Sequence, residues 1–127
     1  MGNRASSALF RELVRQMRED ANVVVICDGP LGPARRSKPG TVGLARLSGV
    51  PVVPVACSAR PALRFASWDG TLLPLPFARV ECAYGEPLPV PRDADDAQLA
   101  ASRDRLDAEL NRLTDDLDAR LGRALRE

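Results

Sequence analysis

The spacing of apolar side chains changes several times along the chain, and each change marks an element. Residues 7–18, SALFRELVRQMR, put Leu9, Phe10, Leu13, Val14 and Met17 on one stripe, with Arg11, Glu12, Arg15 and Arg18 opposite. That is the three-to-four spacing of an amphipathic helix, and Ser6 or Ser7 is suited to cap it. Glu19-Asp20-Ala21-Asn22 breaks the pattern. Val23-Val24-Val25-Ile26-Cys27 follows as a continuous β-branched run. Apolar on both faces, it predicts a buried strand of a parallel sheet. From Asp28 to Gly40 the glycines and prolines leave nothing periodic, which predicts a long shaped loop. Thr41 is placed to cap a short helix over 42–48, and Gly49 to end it. Pro51-Val52-Val53-Pro54-Val55-Ala56 predicts the next strand, with its prolines where no ladder partner needs an N–H.

Strand, loop, helix, strand is a βαβ unit, with parallel strands and a right-handed crossover. The fold class expected is therefore α/β, a mainly parallel sheet with flanking helices. Residues 63–77 are apolar but interrupted by Trp68-Asp69-Gly70 and by Pro74 and Pro76, which predicts a short strand, a turn and a loop. Arg79-Val80-Glu81-Cys82-Ala83-Tyr84 alternates and ends at Gly85, a strand with one polar face. Pro87 to Pro91 predicts a stiff linker. Beyond it, Leu99, Leu106, Leu110, Leu113, Leu117, Leu121 and Leu125 recur at three, four or seven, so 95–125 is expected to be one long helix. Two parts result: an α/β domain over 1–91, and a linker with an amphipathic C-terminal helix over 92–127. The leucine stripe either docks on the domain or pairs helices between chains.

Charge sharpens that division. Residues 1–92 carry twelve bases and seven acids, and residues 93–127 carry ten acids and six bases. The parts are thus net +5 and net −4, electrostatically complementary, within a chain of 127 residues whose overall charge is +1. A balance so near zero gives no general attraction to nucleic acid. No apolar run approaches the roughly 18–20 residues that span a bilayer. Histidine is absent, which removes Ser-His-Asp and Cys-His chemistry and every imidazole metal site from these residues. No metal site is expected. Cys27, Cys57 and Cys82 form no C-x-x-C, and each ends or interrupts an apolar run. They are expected to be small buried strand residues in a reducing cytosol, with Cys27 the one thiol close to candidate chemistry.

That chemistry lies in Asp28-Gly29-Pro30-Leu31-Gly32-Pro33-Ala34-Arg35-Arg36-Ser37-Lys38-Pro39-Gly40. Three cations fall within four residues after two glycines. Glycine lets a backbone approach a ligand closely. Arg35 and Arg36 are suited to bidentate capture of phosphate or carboxylate, and Lys38 supplies a point charge. The N-terminus of the next helix adds free N–H groups. The spacing is not that of a Walker A loop. The candidate anion site is Asp28, Gly29, Pro30, Arg35, Arg36 and Lys38.

The same residues carry a family resemblance. Asp28-Gly29-Pro30-Leu31-Gly32-Pro33, Lys38-Pro39-Gly40, Val50-Pro51-Val52-Val53-Pro54-Val55, Ser67-Trp68-Asp69 and Tyr84-Gly85-Glu86-Pro87 resemble, in order and spacing, motifs of the bacterial DUF374 branch of the lysophospholipid (glycerolipid) acyltransferase superfamily. The resemblance covers residues 1–91. It implies transfer of an acyl group from acyl-CoA or acyl-carrier protein to a lipid-like or phosphorylated alcohol, in phospholipid metabolism, with no bound cofactor. Asp28-Gly29-Pro30 stands where that superfamily places a phosphate-binding loop. The family's His-x-x-x-x-Asp motif, whose His is the general base, has no counterpart here. The chain is therefore expected to be the C-terminal two-thirds of such a domain and inactive alone, with no catalytic residue assigned and Asp28 a candidate substitute base. The alternative is a non-catalytic module that binds an anion or lipid headgroup. Phe65, Trp68, Leu72, Leu73, Leu75 and Phe77 would then suit a membrane interface. The expected location is cytoplasmic, with peripheral contact at the inner membrane surface. Self-association is expected through helix 95–125 or through an exposed sheet edge.

Overall fold

The computed structural model describes residues 2–29 and 31–122, with side chains from Ser6 onward. Its elements are α1 (Gly2–Arg18), α2 (Pro39–Ser48), β1 (Val55–Arg64), β2 (Leu72–Tyr84) and α3 (Asp96–Arg120). The two strands form one antiparallel hairpin. The long helix α3 lies against both strands and against α2, and α1 packs on α2.

This corrects the expected fold class: the architecture is a small α+β arrangement, not a mainly parallel sheet. Val23–Cys27 belongs to no strand, and Val24 and Ile26 are 95% and 81% exposed. A run apolar on both faces becomes a parallel strand only between two neighbours and under two covering layers. The described residues supply neither. The proposed crossover fails for the same reason. Pro51–Ala56 contributes only an isolated bridge, Val52 to Leu88, before β1 begins at Val55.

The second difference lies in residues 72–77. They continue β2 rather than forming a loop, despite Pro74 and Pro76. A two-stranded sheet has an unpaired edge on every strand, and a proline whose missing N–H falls on that edge costs no ladder bond. The pairing runs from Val55 opposite Tyr84 to Arg64 opposite Leu72, with a register shift between Arg60 and Ala62. Arg60 faces Arg79 and Ala62 faces Pro74, so a single β1 residue there opposes four on β2. The extra length bulges outward and holds Phe77 at φ 63°. That left-handed conformation costs a bulky L-residue about 1–3 kcal/mol.

The cysteines also depart from expectation. The register sets Cys57 opposite Cys82 with their Cα atoms 4.1 Å apart, and the two form a disulfide, leaving Cys27 free. Strand pairing across a hairpin brought together two residues 25 apart in sequence, which spacing alone does not reveal.

The helices follow their local signals closely. α1 starts at Gly2, earlier than a Ser6 or Ser7 cap would set it. α2 starts at Pro39 rather than after Thr41, because proline is pre-set for the first helical turn and loses no bond there. Gly49 ends α2 in the left-handed conformation at φ 76°, with its N–H donating to Ala45 O at 2.9 Å. Asp95 and Gln98 form a reciprocal capping box at the start of α3.

The leucine stripe of α3 faces inward. Leu113 and Leu117 pack with Ala56 of β1, with Ala83 of β2 alongside. Leu106 and Leu121 are also buried, while Leu125 lies outside the described residues. A second cluster, Val42, Ala45, Val90 and Ala94, ties α2 to the segment entering α3. Each buried Leu or Val contributes roughly 1.5–3 kcal/mol relative to exposure.

The charge division becomes contacts. Asp115 pairs with Arg35 at 2.9 Å, Asp107 lies 3.7 Å from Arg36, and Asp118 lies 4.0 Å from Arg64. Buried Asp118 also accepts a hydrogen bond from the Ser58 hydroxyl on β1. Arg60 donates to the carbonyls of Leu121 and Gly122, satisfying the C-terminal end of α3.

Candidate functional site

A cleft of about 340 Å³ opens between segment 25–37 and α3. Segment 25–37 contributes Cys27, Asp28, Arg35, Arg36 and Ser37 to its wall, and α3 contributes Asp107, Asn111 and Thr114. Val25, Ile26, Val55 and Leu110 supply the apolar part. Positions 107, 111 and 114 recur at helical spacing, so one face of α3 presents all three side chains together.

The loop is shaped by bonds at its neck and along its far limb. The Lys38 N–H donates to Cys27 O at 2.7 Å, and the Lys38 ammonium donates to Gly32 O at 2.5 Å. Gly32 sits at φ 65°, and a Cβ there would lie 2.6 Å from the Trp68 ring. Only glycine fits beneath that ring. Farther along, Ser37 donates both its N–H, at 2.8 Å, and its hydroxyl to Oδ1 of buried Asp107. Arg35 adopts φ 63° and is held to Asp115 through Nη2 at 2.9 Å. A left-handed arginine is uncommon, and the ion pair with α3 holds it there.

Two polar atoms in this region are buried without a partner. Arg35 Nε has no acceptor, and Asp107 Oδ2 has no donor within hydrogen-bond reach. Both belong to residues that line the cleft, and buried polar atoms without a partner are uncommon.

Of the residues singled out from sequence, Asp28, Arg35 and Arg36 come together on this cleft. Gly29 belongs to the loop but does not line the cleft, and Pro30 lies outside the described residues. Lys38 does not line it either, because its ammonium turns back onto the loop's own carbonyl. No residue of α2 lines the cleft, so the helix N-terminus expected to assist an anion does not open into it. Sequence reasoning missed Ser37, Asp107, Asn111 and Thr114. The opposite charges of the two parts were the available signal, but they do not say which face of α3 meets the loop.

The arginines are partly compensated by Asp115 and Asp107, so the cleft is mixed in charge rather than bare and cationic. Cys27 lines the same wall. Burial, the largest influence, pushes its thiol above the ordinary value, and the Asp28 and Asp107 charges add to the rise, although hydrogen bonds with Thr41 and Ser37 oppose it. Among the described residues no group of three or more His, Cys, Asp or Glu is arranged to hold a metal ion. None of their helices is long and apolar enough to cross a membrane. A larger groove, about 440 Å³, lies between α1 and Leu47. Its Arg15 is already held by Glu12 at 2.5 Å and Glu19 at 2.8 Å.

No family model and no solved structure matches the chain. One curated relative does. The chain is 29% identical over 91 residues to Uncharacterized protein RP090 of Rickettsia prowazekii (strain Madrid E). The match covers 72% of this chain and 42% of that protein, so the chain spans less than half the length of its relative. The relative's name carries no activity.

Proposed function

We propose that this chain binds the anionic group of an acceptor alcohol, a phosphate or carboxylate, in the cleft between its arginine loop and α3. On this reading it serves acyl transfer of the kind its motifs resemble. The observation that carries the reading is the pairing of Arg35 and Arg36 on one cleft, with Arg35 Nε buried and lacking an acceptor. An oxyanion meeting that N–H would receive a charge-assisted hydrogen bond, and Arg36 would add a second. Asn111 offers an amide to the rest of a small headgroup, while the Ser37 and Thr114 hydroxyls, which already donate to Asp107 and to Leu110 O, are left as acceptors.

In such a transfer the acceptor hydroxyl oxygen attacks the thioester carbonyl of acyl-CoA or acyl-carrier protein. A C–O bond forms, the C–S bond breaks, and a base takes the hydroxyl proton. With no histidine in the chain, these residues supply binding and not an imidazole base. Asp28 is the carboxylate on the cleft wall nearest that role. The same absence favours the second reading, a binding module that performs no transfer itself.

Titration with inorganic phosphate and with glycerol 3-phosphate, followed by amide chemical shifts, tests the site. Shifts are expected at Ser37, Asn111 and Thr114. Arg36→Ala is expected to weaken binding about tenfold to a hundredfold, the worth of one charge-assisted bond. Absence of shifts at those residues, or binding unchanged in Arg36→Ala, rejects the site. Thiol release from acyl-CoA, with glycerol 3-phosphate present, separates the two readings. A rate above buffer that Asp28→Asn abolishes would make the chain itself a catalyst.

A further inference from the structure

We propose that the cleft selects a zwitterion, a small alcohol whose anionic group has an ammonium group as a near neighbour. The choice rests on the anion site proposed above and adds a cationic end to its ligand. The charges on the walls lead to it. Arg35 and Arg36 line the cleft, and so do Asp28 and Asp107. A bare anion drawn to the two guanidinium groups therefore meets two carboxylates as well, and their repulsion offsets much of what the arginines supply. An ammonium on the same molecule turns that repulsion into attraction.

Asp107 fixes where the ammonium sits. The residue is only 6% exposed, and its two oxygens are used unequally. Oδ1 accepts both hydrogen bonds from Ser37. Oδ2 is buried and accepts none; Arg36 Nη1 stands 3.7 Å from it, beyond hydrogen-bond reach. A buried carboxylate oxygen with a loosely held cation and no donor is incompletely satisfied. The Arg36 side chain is 58% exposed, so little packing is lost when it turns toward a bound anion. Its departure uncovers Oδ2, and a ligand ammonium there restores the positive charge and brings N–H donors with it. Each charge in the exchange keeps an opposite partner. Arg36 gains the ligand's anion, Asp107 gains its ammonium, and Arg35 keeps Asp115 at 2.9 Å. The Asp28 carboxylate, which has no hydrogen bond or ion pair among the described residues, adds to the field that favours a cation. A hydroxyl in the ammonium's place would supply one donor and no charge.

Two matched pairs of ligands test the choice by calorimetric titration of the full chain at low salt, where screening is weakest. Serinol phosphate differs from glycerol 3-phosphate, and serine from glycerate, only in carrying an ammonium where the other carries a hydroxyl. In at least one pair the amino member is expected to bind about tenfold tighter, the worth of one charge-assisted bond at a partly open site. The pair that shows it identifies the anion as phosphate or carboxylate. Asp107→Asn keeps an oxygen for Ser37 and removes the charge, so it should abolish the preference. Should that variant lose the native circular dichroism, Asp28→Asn is the second: glycerol 3-phosphate should bind it severalfold tighter than the native chain, with a smaller amino preference. Equal or tighter binding of the hydroxyl member in both pairs overturns the zwitterion and leaves the anion site standing. So does an amino preference undiminished in both variants, which would locate the ammonium elsewhere. If none of the four ligands binds, the anion site and the zwitterion fall together.

Discussion

Two loops, 27–38 and 65–71, are held in opposite ways. Turn 65–71 closes on itself. Ser67 and Thr71 donate side-chain hydrogen bonds to Asp69, the Thr71 N–H reaches Ser67 and Asp69, and the Gly70 N–H donates to Ser67 O at 3.0 Å. Each of these bonds joins residues at most four apart. Loop 27–38 closes its neck locally through Lys38, but its arginine limb depends on α3, through Ser37 to Asp107 and Arg35 to Asp115. Those partners stand 70 and 80 residues further on. A self-contained turn keeps its shape in any context that leaves the hairpin paired. A loop held by a distant helix keeps its shape only while the tertiary fold is intact, and its site is coupled to global stability.

Substitutions that break one set of bonds at a time separate these two behaviours. Asp107→Ala should have the largest effect. It strands the buried N–H and hydroxyl of Ser37 and should cost about 3 kcal/mol in urea unfolding, with faster amide exchange along 34–38. Equal exchange in the variant would show that α3 does not hold the loop. Gly32→Ala comes next, at about 2 kcal/mol, because it combines a left-handed backbone with a Cβ driven into the Trp68 ring. In a double-mutant cycle with Trp68→Ala, the steric share should disappear and the backbone share should persist. Strict additivity would mean that the two loops do not touch.

Asp69 should respond only locally. Its carboxyl lies below the ordinary 3.8, held there chiefly by the Ser67 hydroxyl and also by Thr71. A depressed folded value means that its support of the turn is present above about 3.8 and is lost as pH falls through the folded value. Acid should therefore loosen residues 67–71, and Asp69→Asn should remove that pH dependence. Smallest in energy is the Cys27 response. With its thiol raised by burial, iodoacetamide should modify it more slowly in the native chain than in urea at the same mildly alkaline pH. Equal rates would place the thiol in open solvent, away from the cleft wall.

The legible parts of this protein were the local ones. The stripe of residues 7–18, the Gly49 stop, the turn at Trp68-Asp69-Gly70 and the inward leucines of α3 each rest on signals a few residues wide. The gathering of Asp28, Arg35 and Arg36 was also anticipated, because all three lie on one short loop. The valine run at 23–26 misled because a run apolar on both faces describes a strand only where neighbours exist. Prolines 74 and 76 misled because their cost depends on which edge of the sheet they occupy. The Cys57–Cys82 bond and the α3 half of the cleft had no local signature at all.

By itself the sequence determined which segments could be helical, where the chain must turn, that none of these residues supplies an imidazole, and that an acidic C-terminal part follows a basic remainder. These follow from side-chain periodicity, backbone preference and net charge, which act over a few residues or do not depend on geometry. Tertiary structure alone decided that the strands pair antiparallel, that Lys38 faces away from the cleft while Asp107 faces into it, and that Phe77 points outward. Each of these depends on register or on the rotation of one element against another. A shift of one residue along a strand, or a rotation of roughly 100° about a helix, would reverse the outcome while leaving every local pattern unchanged.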